Sequence, residues 1–327
     1  MPTFTYDYTI GTELQAVRNH QAHRGIPRKP AGKLLLATWN LCNLGTSKRR
    51  DKDLELMAEI LRPFDLIAVQ EVREDFRHLH KILAELGAPY KCVMTDRAGN
   101  EERLAYIFDP TRVEPQELFG ELVLLEKEAV TLRFPVNGGT VEETLRQFNR
   151  NPYLASWKAG QFRFTTANVH IYFGKTSGAE LRRRVLEVFT LAKWAHDRVT
   201  KYRKTSNDLD IMLIGDMNVP KMEPADPVFQ RLLEFGMRPT KFSTRMGTNL
   251  SGVNHFDQIT ILPTETATNV LAEEGVFDYD KAVFADLWAM TQGPNPTQTV
   301  AEFRRYCRYY ISDHRLLWCA FDTTHGG

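Results

Sequence analysis

The chain has 327 residues, a net charge of +1, 43% hydrophobic residues and 25% charged residues. These values describe a globular protein with ample material for a core, and they exclude a disordered chain or a polyanion binder that works by overall charge. No stretch has the length of a membrane span, and the first 28 residues contain no apolar run of signal-peptide length; the four cysteines (Cys42, Cys92, Cys307, Cys319) include no Cys-x-x-Cys pair, so the expectation is reduced thiols, no cysteine zinc site and a cytoplasmic setting.

Residues 1–32 are polar and end in Pro27, Pro30 and Gly32, which predicts a short N-terminal arm, helical or irregular, ahead of a single domain over 33–327. Lys33 to Asn40 reads as a buried strand closing on an amide. Leu54, Met57, Ala58 and Leu61 recur at helical spacing before Pro63, then Asp65 to Glu71 forms a second buried strand ending in a carboxylate. Phe76 to Leu86 predicts another helix, closed at Gly87. Strands follow at 89–95, 103–109, 112–118, 129–134, 153–159 and 162–171, with 137–151 expected as a polar loop containing a helical turn. The longest helix is predicted over 178–200, with Arg182, Arg183 and Arg184 on its solvated face. A strand at 209–215, a short helix near 226–235 and strands at 255–262, 267–272 and 315–321 complete the chain.

The chemistry collects at strand ends. Ile211 to Ile214 runs into Gly215-Asp216-Met217-Asn218; if the strand continues, Asp216 and Asn218 share a side, because side chains repeat every two residues. An Asp and an Asn at a strand mouth suit a hard cation carrying a phosphate, although Asp-x-Asn after Gly is also ordinary turn chemistry. Asn40, Glu71, His170, Asp257 and Asp313-His314 occupy comparable places. A glutamate after a strand is usually a solvated loop residue and a lone histidine is usually structural. Four carboxylates, two amides and two histidines at sheet edges together form the inventory for metal-assisted attack on a phosphate.

In their order, Trp39-Asn40, Gln70-Glu71, Asn168-x-His170, Gly215-Asp216-x-Asn218, Asp257 and Ser312-Asp313-His314 resemble the endonuclease/exonuclease/phosphatase superfamily from about Leu34 to Phe321. The resemblance implies an α/β fold, a four-layer αββα sandwich of two packed mixed β-sheets with helices outside. Val69-Gln70-Glu71-Val72-Arg73, Glu102-Arg103 with Asp109-Pro110, and Phe148-Asn149-Arg150-Asn151-Pro152 are similar to segments of the pancreatic deoxyribonuclease type. The chain departs from that type at Asn100, where such enzymes place a groove-stacking tyrosine. It departs from apurinic endonucleases at Cys42, where an Asp is usual.

The resemblance implies that Glu71, with Asn40 and Asp313, holds Mg²⁺ or Mn²⁺, with Ca²⁺ as an option for a second ion. It implies His314 as general base, oriented by Asp257, and His170 as donor to the phosphate or leaving oxygen, oriented by Glu102. Asp216 and Asn218 would orient water, phosphate or a second metal. Arg150 and Asn168 would bind non-bridging oxygens, and Arg73 a flanking phosphate. The expected activity is endonucleolytic hydrolysis of DNA, supported by Lys48-Arg49-Arg50, Lys175 and the Arg/Tyr run 304–310 as backbone-tracking surface. The competing expectations are a phosphoesterase acting on lipid or small-molecule phosphates and a non-catalytic scaffold of the same fold. No obligate protein partner is inferable from the residues.

Overall fold

Helices and strands alternate along the chain of this computed structural model, which describes residue 2 and residues 4–202, 210–240, 246–262 and 266–326. The order is α1 (Ile10–His23), β1 (Lys33–Leu44), α2 (Asp51–Leu61), β2 (Leu66–Val72), α3 (Arg77–Leu86), β3 (Lys91–Met94), β4 (Arg103–Phe108), β5 (Glu114–Glu121), β6 (Val130–Val136) and β7 (Gly139–Leu145). Then come β8 (Tyr153–Ala159), β9 (Phe162–His170), α4 (Gly178–Tyr202), β10 (Ile211–Asp216), α5 (Pro227–Glu234), β11 (Arg238–Pro239), β12 (Asp257–Ile261), β13 (Val270–Phe277), α6 (Ala285–Ala289), α7 (Val300–Tyr310) and β14 (Leu316–Asp322). One six-stranded sheet runs β13-β14-β1-β2-β4-β3 and a second runs β11-β12-β10-β9-β8-β5. Each is mixed: β1 lies parallel to β2 and β9 parallel to β10, while the other ladders are antiparallel.

The period of two along each strand builds the layers. In β1, Leu34 and Leu36 enter the core between the two sheets, while Leu35, Ala37 and Trp39 pack outward with residues of α2 and α3. In β10, Met212 and Ile214 face the intersheet core, and Ile211 and Leu213 face α4 and α5. The result is helices, sheet, sheet, helices, the four-layer αββα arrangement. Continuing the same parity carries the inward row onto polar residues at one end: Thr38 and Asn40 in β1, Thr166, Asn168 and His170 in β9, Asp216 in β10, Asp257 in β12. The end of the sandwich where the apolar rows stop is therefore where the chemistry begins.

One segment differs from the sequence expectation, and two others gain definition. The stretch 137–151 is not a loop with a helical turn: β7 pairs with β6 in a hairpin, Val136 opposite Gly139, so that Asn137 and Gly138 form its two-residue turn and Gly138 takes φ 91°. Residues 300–310, which include the 304–310 Arg/Tyr run expected as a backbone-tracking surface, form α7, capped by a reciprocal pair in which Thr299 Oγ accepts from the Glu302 amide and Glu302 accepts from the Thr299 amide. The arm, expected as helical or irregular, contains a docked helix, α1. In α1, Val17 is fully buried, Arg18 Nε donates to Glu59 (2.8 Å), His20 Nε2 lies 2.8 Å from Asp278 Oδ1, and Arg24 holds both oxygens of Asp278. All four cysteines are unpaired. Among the described residues no helix is long and apolar enough to cross a membrane.

Asp278 gives α1 a pH signature. Burial pushes its carboxyl up, but the bonds from His20 and Arg24 outweigh burial and hold it at about 2, below the ordinary 3.8. A depressed folded-state value stabilises the fold above the unfolded value and is lost as pH falls through the folded one. Asp278→Asn should therefore cost about 2 kcal/mol near neutral pH, with the difference from the parent shrinking between about pH 4 and pH 2. Denaturant unfolding followed by circular dichroism across that range measures it; a constant deficit would remove the ion pair as its cause.

Candidate active site

Five strands end inside one polar cluster, and two local distortions complete it. Gln70, not Glu71, is the inward residue of β2, and Glu71 reaches the cluster only because its backbone takes φ 63°. The ladder slips there on both sides, between Asn40 and Leu44 on β1 and between Val69 and Val72 against β4. At Gly215, φ is 134° and an added Cβ would stand 2.2 Å from the Val169 carbonyl oxygen, so only glycine lets β10 approach β9 there. β10 stops at Asp216 and Asn218 turns with φ 50°, so the strand geometry does not carry through to Asn218.

Asp216 is the centre. Its Oδ2 lies 3.5 Å from His170 Nε2 and 3.7 Å from His314 Nε2, and accepts from Asn40 Nδ2 at 3.1 Å. Its Oδ1 accepts from the Asn218 amide at 3.0 Å. Each histidine is held from behind by a carboxylate: Asp257 Oδ2 lies 2.8 Å from His314 Nδ1, and Glu102 Oε1 lies 2.9 Å from His170 Nδ1. Two imidazoles thus turn their Nε2 atoms toward one buried carboxylate.

The two histidines titrate in opposite directions. For His314, burial disfavours the cation, but Asp257 and Asp216 outweigh it and hold the imidazole well above its usual range. For His170, burial wins, helped by Arg150 and His314 against the pull of Asp216 and Glu71, and its value falls. Burial pushes Asp257 up against the pull of His314. Asp216 is also buried, yet both histidines, the Asn218 amide and Asn40 keep it lowered and charged.

Glu71 is partly exposed. Its Oε1 accepts from Asn40 Nδ2 (3.0 Å) and its Oε2 from the Asn43 amide (2.8 Å). Asp313 is also partly exposed and pairs with Arg308 Nε at 3.2 Å. Glu71 and Asp313 face one region, since both, after burial, push the Cys42 thiol up to about 12. Hard carboxylate oxygens at a solvent-reached edge match the donor preference of Mg²⁺ or Mn²⁺. Glu71, Glu102 and His170 also lie close enough together to share a cation, as do Asp216, Asp257 and His314. In both groups the carboxylate behind the histidine is already engaged, and Glu71 and Asp313 are the carboxylates that reach solvent.

Four sequence-predicted roles change. Asn40 gives its amide nitrogen to Glu71 and Asp216 while its oxygen accepts from the Cys42 amide (2.9 Å), so it spaces the two carboxylates. Asn168 is fully buried and saturated: it accepts from Gln70 Nε2 (2.7 Å) and donates to the Val69 and Ala105 carbonyls, tying the sheets together beneath the site, out of reach of phosphate. Arg150 turns inward, its Nε against Glu102 and its Nη1 on the His170 carbonyl (3.2 Å), which makes it a positioning residue. Arg73 bonds Asn43 Oδ1 and the Asn100 carbonyl, bracing two loops.

Two residues of α4 were missed. Arg184 is 1% exposed and not on a solvated face; it donates to the carbonyls of Asn218 (3.3 Å), Gly174 (3.3 Å) and Lys175 (3.0 Å). Glu187, also 1% exposed, accepts from the amides of Asn149 (3.0 Å) and Tyr172 (2.9 Å). Together they pin the loops that follow His170 and Asp216 and the segment that carries Arg150. Their signal was present in the helical spacing: Arg184 stands three residues after Leu181 and four before Val188, on the buried stripe.

The sequence matches no family model and no curated protein sequence. The structure resembles solved structures. TDP2 from Caenorhabditis elegans superposes with a TM-score of 0.52 at 13% identity, covering 89% of this chain and 97% of that one. An endonuclease/exonuclease/phosphatase family protein from Bacteroides thetaiotaomicron gives 0.52 at 16% identity over 88% and 97% of the two chains. D. rerio TDP2, solved in complex with a single-strand DNA product, gives 0.51 at 17% identity over 89% and 99%. Two mixed six-stranded sheets, helices on both outer faces and these neighbours agree on one architecture: this chain has the fold of the endonuclease/exonuclease/phosphatase superfamily.

Proposed function

We propose that this protein is a divalent-metal-dependent phosphodiesterase that hydrolyses nucleic acid, with DNA as its substrate. The observation that carries the reading is the convergence of two carboxylate-backed histidines on Asp216 Oδ2, at 3.5 and 3.7 Å. One Nε2 on each side of a phosphate divides proton removal from proton donation. His314, oriented by Asp257, takes the proton of the attacking water. His170, oriented by Glu102, donates toward the departing oxygen, a role that needs the bound phosphate's negative charge to offset the burial that lowers its proton affinity. Asp216, kept charged, aligns the water between them, and the Asn218 amide fixes the Asp216 rotamer.

Glu71 and Asp313 would hold the cation, Mg²⁺ or Mn²⁺, which supplies positive charge against the charge that builds on the phosphate oxygens. Arg150, Arg184 and Glu187 act through the residues they hold. The choice of nucleic acid is supported by the single-strand DNA product bound to the D. rerio TDP2 neighbour and by exposed arginines of α7 beside the site.

Supercoiled plasmid with Mg²⁺ or Mn²⁺ is the direct assay, run beside RNA, abasic duplex, sphingomyelin and inositol phosphates. Plasmid nicking is expected, abolished by EDTA and restored by added metal. Nicking that survives EDTA would eliminate the metal requirement, and turnover confined to the lipid or inositol substrates would eliminate the nuclease reading.

A further inference from the structure

Helix α7 has two faces. Phe303, Tyr306 and Cys307 are buried against the outer core of the first sheet. One residue past them, Ala301, Arg304, Arg305 and Arg308 form an exposed stripe at spacings of three, four and seven. The stripe is the shared wall of two cavities. One, of about 370 Å³, reaches Phe256, Asp313 and His314; the other, of about 360 Å³, reaches Cys42, Asn43 and Tyr309. Arg305 and Arg308 line both cavities, and Asn43 is the residue whose amide holds Glu71. The groove thus runs across both the His314 and the Glu71 sides of the site.

Its charge is unbalanced. Arg308 is spoken for by Asp313, and Asp313 is the single carboxylate lining either cavity. Arg304 and Arg305 make no ion pair or hydrogen bond among the described residues. Ala301 at the same stripe leaves room above the helix, and an aromatic ring closes each end. Phe256 packs against His314 with ring centroids 5.9 Å apart, and Tyr309 stands at the other end. Paired guanidinium groups between aromatic rings suit a phosphate flanked by bases.

We infer that Arg304 and Arg305 form a subsite for the phosphate adjacent to the scissile one on a nucleic-acid strand. The inference rests on the phosphodiesterase reading for the position of the scissile group. The enzyme would then favour substrates with neighbouring phosphodiesters over an isolated one, and single strands would thread along α7.

The test uses the full chain with Mg²⁺ and an Arg304→Ala/Arg305→Ala variant, with the double lysine variant as charge control. Binding of a fluorescent single-stranded oligodeoxynucleotide is followed by anisotropy over a salt series. Hydrolysis of an oligonucleotide is compared with that of bis(p-nitrophenyl) phosphate, which carries one phosphate. The alanine variant is expected to bind about tenfold more weakly, with a log–log salt slope shallower by about 0.7 to 1.4. Its ratio of kcat/KM for oligonucleotide over the small diester should fall about tenfold, and the lysine variant should recover most of the binding. An unchanged slope and ratio overturns the subsite, as does an equal loss on both substrates. If the parent cuts neither substrate, the phosphodiesterase reading falls while the anisotropy series still decides the subsite. Arginine-dependent binding to anionic vesicles in place of oligonucleotide overturns the assignment to nucleic acid.

Discussion

His314→Ala is expected to lower turnover of plasmid with Mg²⁺ by two or more orders of magnitude, with far-UV circular dichroism remaining that of the parent. The magnitude follows from removing a positioned general base, about 10²–10⁴ in rate. The companion measurement is the pH profile. Asp257 and Asp216 hold the His314 proton well above the usual imidazole range, and a base works only after losing it. Activity is therefore expected to rise with pH through that raised value. Asp257→Asn removes the main attraction for the proton, so the rise should move to lower pH while the plateau falls. A profile that declines over the same interval would reassign His314 as the acid, and near-normal nicking by His314→Ala would sink its catalytic role altogether.

Asp216→Asn is expected to cost as much. The substitution keeps shape but removes the one charge that both imidazoles face and that Asn40 and the Asn218 amide are arranged to stabilise. Turnover should fall about 10²–10⁴-fold. The histidines report the cause independently: with Asp216 neutralised, both imidazoles lose an attraction, so both should titrate at lower pH by NMR. A turnover loss with unmoved histidines would mean that Asp216 acts otherwise than by its charge. The substituted amide can also turn its nitrogen toward the Asn40 nitrogen, so the protein is expected to melt slightly below the parent.

Much of this site was legible in the sequence because one rule produces it. A strand that buries alternate residues between two sheets, extended until the apolar supply stops, delivers its next inward residue to a common rim. Asn40, His170, Asp216 and Asp257 all obey it, and their order along the chain supplied the rest. The failures have equally local causes. Residues at strand ends were read as pointing into solvent-facing chemistry, whereas Asn168 lies one inward step too deep and spends its whole bonding capacity on Gln70 and two carbonyls. Arg150, an arginine near a phosphate site, is consumed by Glu102. Arg184 and Glu187 read as surface charges when charge is weighed above position, although Arg184 keeps the spacing of the buried stripe of α4. The β6–β7 hairpin and α7 carried their own signals, Asn137-Gly138 and Thr299-x-x-Glu302, and polar composition masked both.

The two histidine–carboxylate pairs have one further property. Asp257 belongs to the second sheet and His314 precedes a strand of the first; Glu102 precedes a strand of the first and His170 closes a strand of the second. Each pair therefore straddles the seam of the sandwich, in opposite senses. Any slippage of one sheet over the other stretches both pairs together, so repacking the middle layer alters the two pairs jointly. The intersheet side chains, Trp157 and Phe164 among them, therefore help to set the spacing of both pairs. Homologous substitutions there should come in compensating sets that preserve the offset between sheets, even where they touch nothing that reacts.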